Sequence, residues 1–332
     1  MTRAFTRYVR REPAALVAWA VLVVIVAVWA AATPNLGIVS LTNTFAQKLP
    51  LVMAAIGATI VIVSKGIDLS LGGTLTLVNV IIAHGTLTGG DPVPWIVVAM
   101  LAALAAGLLN GLLVAVLNLP ALIVTLATQS VLLGIALYVL PTPGGALPEW
   151  FTNVPLQLVG PVPLVVLLLV IVPVVLWWPL RRSRFGTALY AVGNDEQAAF
   201  TSGVRVVRTR VLAYVLGAFF AGLGGVFITM NAGSGDPAIG VPYTLNAIAA
   251  AVLGGVALSG GRGTIAGPIA GALVLSFINN LLFSLGVNTY WQYLVTGVLL
   301  IGALAVPYAL RRLRRRRRAV AGAASSTAAV AA

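Results

Sequence analysis

The sequence holds no cysteine, one histidine, two lysines and only seven acidic residues among 332. Without cysteine there is no disulfide framework and no thiolate metal site. His84 alone cannot assemble a multi-histidine centre, so neither a metal nor a cofactor is expected. Seven carboxylates and two lysines cannot clothe a soluble domain of this length in charge. Enzymatic chemistry is not expected either, because paired intramembrane acids and any nucleophile–base constellation are missing. A phosphate-binding loop would need its glycines followed by Lys-Ser/Thr, and neither Lys48 nor Lys65 stands in that pattern. The string Leu258-Ser259-Gly260-Gly261-Arg262, close to the signature of ATP-binding cassette ATPases, is therefore read as a tight glycine turn.

What is present is apolar. Hydrophobic residues make up 60% of the chain, charged residues 8%, and the mean hydropathy is +1.05. The apolar runs are long enough to cross ~30 Å of hydrocarbon at 1.5 Å per residue. Spans are expected near 14–32, 49–64, 70–87, 95–117, 121–140, 162–180, 210–231, 244–258, 264–285 and 291–309. The expected fold is an all-α polytopic membrane protein of about ten transmembrane helices. A basic segment, 1–13, precedes a single transmembrane unit, 14–310, and an Arg-rich then Ala/Ser-rich, disordered tail, 311–332, follows it. Arg3, Arg7, Arg10 and Arg11 before the first apolar run imitate a cleaved leader, but that run exceeds the ~7–15 residues of a leader core. It is read as a retained anchor helix.

The net charge of +13 does not point to nucleic acid. Seventeen of the twenty basic residues fall in three clusters, at 3–11, 181–210 and 311–318, each bordering an apolar span. That is where topology-setting charge belongs. Ten spans threaded from a cytoplasmic N-terminus put all three clusters and Arg262 inside, with a cytoplasmic C-terminus. Asp91, Glu149 and Asp236 fall outside, and Lys48 is the only basic residue placed there.

Small residues recur every fourth position: Gly107 and Gly111; Gly217, Ala221 and Gly225; Gly263, Gly267 and Gly271. Such rows let helix backbones approach closely. Gly66-Ile67-Asp68-Leu69-Ser70 is echoed by Gly255-Val256-Ala257-Leu258-Ser259, each after an apolar span, as in chains with duplicated halves. The polar stretch 181–209 contains a helix expected over 195–202. Asn194 and Gln197 are placed as a capping box, Asp195 and Glu196 in the first turn, and Gly203 as a left-handed stop. Asp68 suits either ion coupling or a cap that accepts from the amides of Ser70 or Leu71, with Lys65 in reach; the cap is the preferred reading. Asn79, Asn110, Thr125, Gln129, Asn246, Asn279 and Asn280 place neutral hydrogen-bonding groups in the spans. They suit a pathway for an uncharged polyhydroxylated solute, or else bond one helix to another.

With these segments placed, residues 45–305 resemble the permease subunits of bacterial ABC importers for monosaccharides, the ribose and galactofuranose type. The resemblance is carried by Gly66-Ile67-Asp68-Leu69-Ser70 with Gly72; by Leu119-Pro120-Ala121 leading to Thr125-Leu126-Ala127-Thr128; and by Arg184-Phe185-Gly186 leading to Ala191-Val192-Gly193-Asn194. Ala198-Ala199 with Gly203, and Ala247-Ile248-Ala249 leading to Gly254-Gly255 and Gly260-Gly261, complete it. It implies a multi-pass protein of the bacterial cell membrane. It also implies that 181–209 docks on a cytoplasmic ABC ATPase, with Glu196, Ala198, Ala199 and Gly203 at the contact. The implied partners are that ATPase, an extracytoplasmic solute-binding protein, a second permease chain and membrane lipid. ATP hydrolysis in the partner then drives alternating access. Many relatives of that type carry Glu-Leu-Asp where this chain has Thr244-Leu245-Asn246, which admits a heterodimer whose sister chain supplies the acids. The alternatives are the same machinery carrying branched-chain amino acids or nucleosides, and an ion-coupled secondary transporter.

Overall fold

The computed structural model describes residues 13–305 apart from 34–36, 88, 161, 289, 292, 293, 296, 299, 300, 303 and 304. The N-terminal arginines and the Arg-rich tail lie outside the described residues. The chain is a helical bundle. Nine of the ten expected spans are helices over the expected stretches: α1 (Pro13–Ala32), α3 (Leu49–Val63), α4 (Leu71–Gly85), α5 (Pro92–Ala115), α6 (Ala121–Val139), α8 (Leu164–Arg182), α11 (Val206–Ala232), α12 (Val241–Leu253) and α13 (Ala266–Ser284). The tenth falls partly outside the described residues and is helical wherever it is described between 290 and 305. Seven stretches are long and apolar enough to cross a membrane unaided, while α4 and α12 are shorter apolar helices.

Sequence periodicity missed several elements. A short helix, α2 (Ile38–Ala46), precedes α3, and the two form one apolar stretch of 26 residues broken at Gln47-Lys48. The Pro/Gly-rich loop after α6 contains a helical turn, α7 (Glu149–Thr152), and a small hairpin pairing Leu158–Val159 with Val162–Pro163. The stretch 181–209 carries two helices, α9 (Arg184–Asn194) and α10 (Glu196–Thr201), where one was expected.

The core is centred on α3, every residue of which is buried. A helix apolar all round belongs inside a bundle. Around it stand α4, α11, α12 and α13, while α1, α5, α6 and α8 turn broad apolar faces outward. The small-residue rows do the packing. A Cβ on Gly57 of α3 would stand 2.6 Å from the carbonyl oxygen of Gly217 on α11. Gly107 and Gly111 bring α5 against α11, and Gly267 and Gly271 bring α13 against α12. Gly263 departs from the expected row: its φ of +134° puts it in the turn before α13, not on that helix.

The bundle has two chemically different ends. At one, α9 and α10 lie with the turns after α3, α5 and α12, and with Lys65, Arg181, Arg182, Arg184, Arg205, Arg208, Arg210 and Arg262. Gly261 N–H donates to the Val63 carbonyl at 2.9 Å, and Tyr190 Oη to the Gly263 carbonyl at 2.6 Å. At the other end the loops around Asp91, Glu149 and Asp236 gather, tied by reciprocal backbone bonds between Gly144 and Gly235.

Candidate functional site

At the basic end α10 is capped by Asp195, whose carboxylate accepts from the Ala198 amide at 3.0 Å. The expected cap, Asn194, is instead the last residue of α9, and its amide donates to the Tyr190 carbonyl. The shift has a cause: α9 buries Gly186, Leu189, Val192 and Gly193 on one face and keeps its helix to Asn194. Gly203 stops α10 as expected, at φ +82°, with Val204 N–H bonded to the Ala199 carbonyl and Gly203 N–H to that of Phe200.

Glu196 pairs with Arg210 of α11 at 2.7 Å, the only salt bridge among the described residues. Ala198 and Gly203 are exposed, whereas Ala199 is buried against Val192 and Val206. Ala199 therefore seats the helix and presents nothing outward. Sequence reasoning missed Phe200, whose ring is 70% exposed on the outer face of α10. A large aromatic left uncovered on a polar loop is the signal that marks it. It borders a cavity of about 540 Å³ lined also by Val116, Asn118, Glu196, Val206 and Arg210.

Beneath this surface four buried polar side chains form an unbroken chain. Asp68 Oδ1 accepts from the Ser70 amide at 2.8 Å and from the Ser70 hydroxyl at 2.6 Å. Ser70 Oγ accepts from Asn110 Nδ2 at 2.8 Å, and Asn110 Oδ1 accepts from Thr128 Oγ1 at 2.6 Å. The start of α4 is thus tied to α5 and α6. Asp68 does accept from the Ser70 amide, and Lys65 makes no ion pair with it among the described residues. Burial pushes the Asp68 carboxyl up to about 6 against the lowering effect of its two Ser70 bonds, and its Oδ2 has no partner among the described residues. Gly66 leaves room for Tyr214, whose hydroxyl would lie 2.8 Å from a Cβ there. Gly72 sits where any Cβ would collide with Thr244 Oγ1.

The membrane asparagines divide. Asn79, fully buried, donates to Thr229 Oγ1 and to the Ser234 carbonyl, both at 3.0 Å, and accepts from the Asp236 amide at 2.8 Å. It pins the α11–α12 connection to α4. Asn110 is committed to Ser70 and Thr128, and Thr125 donates to the Ala121 carbonyl of its own helix. Asn280 accepts from Lys48 Nζ at 2.7 Å, so the lysine is buried with a partner beside the Phe277 ring. Asn279 is half-buried on α13. Of the neutral groups expected in the spans, half-buried Asn246 on α12 and the amide nitrogens of Gln129 and Asn280 have hydrogen-bonding capacity unused among the described residues, while Gln129 Oε1 accepts from Thr244 Oγ1 at 3.1 Å.

A family model described as a branched-chain amino acid transport system permease component matches residues 40–304. The chain belongs to that family. It is a multi-pass membrane protein of the bacterial cell membrane and a transport subunit, not an enzyme. Its relatives include the ribose import permease protein of Bacillus subtilis, 37% identical over 76% of this chain and 79% of the relative. The ribose import permease protein of Escherichia coli K12 is 34% identical over 92% of this chain and 96% of its own length. The D-allose transport system permease protein of the same organism is 32% identical over 86% and 89%. No solved structure matches the chain.

Proposed function

We propose that this permease carries a neutral monosaccharide inward, as one of two permease chains, with its basic end and both termini in the cytoplasm. A separate ABC ATPase docks on α10, and an extracytoplasmic solute-binding protein delivers the sugar at the acidic end. The observation that carries the docking reading is Phe200. It stands exposed on a short helix whose inner side is fixed by Ala199 and by the Glu196–Arg210 pair. Rigidly held aromatic groups at the centre of a contact dominate binding energy. Glu196, Ala198 and Gly203 border that surface.

The sugar reading rests on the relatives' names, ribose and allose, and on the unused groups in the membrane. Gln129 and Asn246 are uncharged and offer donors and acceptors to hydroxyls without a counter-ion. A branched-chain amino acid, the cargo in the family description, brings two charges, and neither group would balance them. Asn79, Asn110 and Thr125 are withdrawn from the expected pathway because their bonds are spent within the bundle. The second permease chain is a copy of this one or a sister that carries acids at positions 244 and 246.

The experiment is purification of the tagged chain from its native membranes with identification of its companions. An ABC ATPase in stoichiometric amount is expected. Phe200→Ala should weaken its retention by about thirtyfold, as expected for an anchor worth about 2 kcal/mol, and Glu196→Lys should weaken it as well. Recovery of the chain without any ATPase in several detergents would refute the docking reading. Recovery of a second, different permease chain would decide for the heterodimer.

A further inference from the structure

Two routes run inward from α10 and meet at Ser70. The polar route starts at the Glu196–Arg210 pair. Tyr214 stands four residues beyond Arg210, hence on the same face of α11. Its ring is buried, and its hydroxyl donates to the Ile67 carbonyl at 3.3 Å. The next residue is Asp68, whose carboxylate holds both the amide and the hydroxyl of Ser70. Arg210 and Tyr214 also share the wall of a cavity of about 220 Å³ with Lys65, Gly66 and Asn118.

The steric route runs through α5. A Cβ on Gly107 would stand 2.7 Å from the Tyr214 carbonyl oxygen, and one on Gly111 would stand 2.8 Å from Val211 Cα. These two glycines flank Asn110, which donates to Ser70 and accepts from Thr128. Contacts this close leave no slack to absorb a displacement, and packed interiors shift between discrete arrangements instead of deforming continuously. The chain ends at Thr128 on α6, beside Gln129 and its bond to Thr244 on α12.

We infer that Tyr214 is a positioning residue which, together with the Ser70 junction, transmits displacement of α10 to α6 beside the Gln129–Thr244 contact. The inference rests on the reading of α10 as the ATPase-docking helix. The absence of native cysteine permits a clean test. Ser130→Cys, at an exposed position of α6 one residue beyond Gln129, places one reporter thiol in each copy of this chain within the purified permease–ATPase complex. The rate at which a small maleimide labels that thiol is measured without nucleotide and with ATP plus vanadate.

The expected result is a nucleotide-driven change in labelling, reduced about fivefold or more when Tyr214→Phe is added, the span of a typical coupling between sites. Phenylalanine keeps the ring and removes only the hydroxyl, so basal ATP hydrolysis and ATPase retention should stay as in the parent. Ser70→Ala should blunt the response in the same way from the other side of the junction. An undiminished response in Tyr214→Phe, no response at position 130 in the parent, or loss of the ATPase from the Tyr214→Phe complex would each overturn the inference. A parent chain that retains no ATPase at all would overturn the docking reading, which separates the two failures.

Discussion

The turn after α3 and the turn after α12 are the same backbone device made from different residues. In each, the second residue past the helix is left-handed: Lys65 at φ +64° and Gly255 at φ +94°. In each, that residue's amide bonds three residues back and the following amide five residues back, Gly66 to Val61 and Val256 to Ala251. The two helices pack together, and their successors α4 and α13 each cross the other turn's helix. Yet one turn leads into the buried Asp68–Ser70 pair, and the other into Gly260 and Gly261, on which α9 rests. One turn forms a polar junction and the other a flat bed for a neighbouring backbone. Shared geometry thus reports the common construction, and the side chains report the separate tasks.

The largest effect is expected from making the second turn resemble the first. Ser64, buried, donates to the Val61 carbonyl at 2.8 Å, while its counterpart Gly254 faces the backbone of Gly267 so closely that any Cβ would collide with it. Gly254→Ser should therefore cost about 3 kcal/mol, at the upper end of overpacking, since backbone on both sides cannot yield. Unfolding of the purified variant in detergent measures it, and a loss below about 1 kcal/mol would mean that α12 and α13 can separate cheaply.

The next effect separates the echo seen in sequence from the echo seen in space. Sequence pairs Ser70 with Ser259, but hydrogen-bond register places Lys65, not Gly66, opposite Gly255, so the matching letters fall one residue out. Ser70 is buried between Asp68 and Asn110, and Ser259 is exposed. Ser70→Ala leaves Asn110 Nδ2 without its acceptor and should cost about 2 kcal/mol. Ser259→Ala should fall within about 0.5 kcal/mol of the parent. Equal losses would restore the sequence alignment as the true one.

The spans were legible because length and hydropathy are summed properties, robust to errors at any one residue. The close-packing glycines were legible for a related reason: a fourfold recurrence survives any local rearrangement, and only Gly263, at the edge of its row, fell outside the helix. What sequence did not reveal was which partner each polar group would find. Asn79, Asn110 and Asn246 look alike in sequence, yet among the described residues the first two spend their bonds within the bundle and the third does not. That difference is set by helix rotation, which a chain apolar on every face leaves undetermined. Asn194 was misplaced as a cap for a comparable reason. Its neighbour Asp195 is an equally good capping residue, and only the buried face of α9 decides between them. Phe200 was passed over because its exposure belongs to the fold and not to its letter.

The smallest change from the parent that unfolding should resolve is a gain. Lys65 holds a left-handed conformation that costs an L-residue about 1–2 kcal/mol, where Gly255 carries no such penalty. Glycine returns about 0.5–1 kcal/mol of that through the greater freedom of its unfolded chain. Lys65→Gly should accordingly stabilise the fold by about 0.5–1 kcal/mol, read as a small rise in the unfolding midpoint in detergent. The reverse exchange, Gly255→Lys, should destabilise, since a side chain there would be strained and would also begin 2.6 Å from Ala14 Cβ. The lysine stem lies over Gly260, with its Cγ 2.5 Å from where a Cβ would stand. A lower midpoint for Lys65→Gly would show that this covering of the glycine bed outweighs backbone strain. The two turns would then be joined through that lysine as well as through the Gly261–Val63 bond.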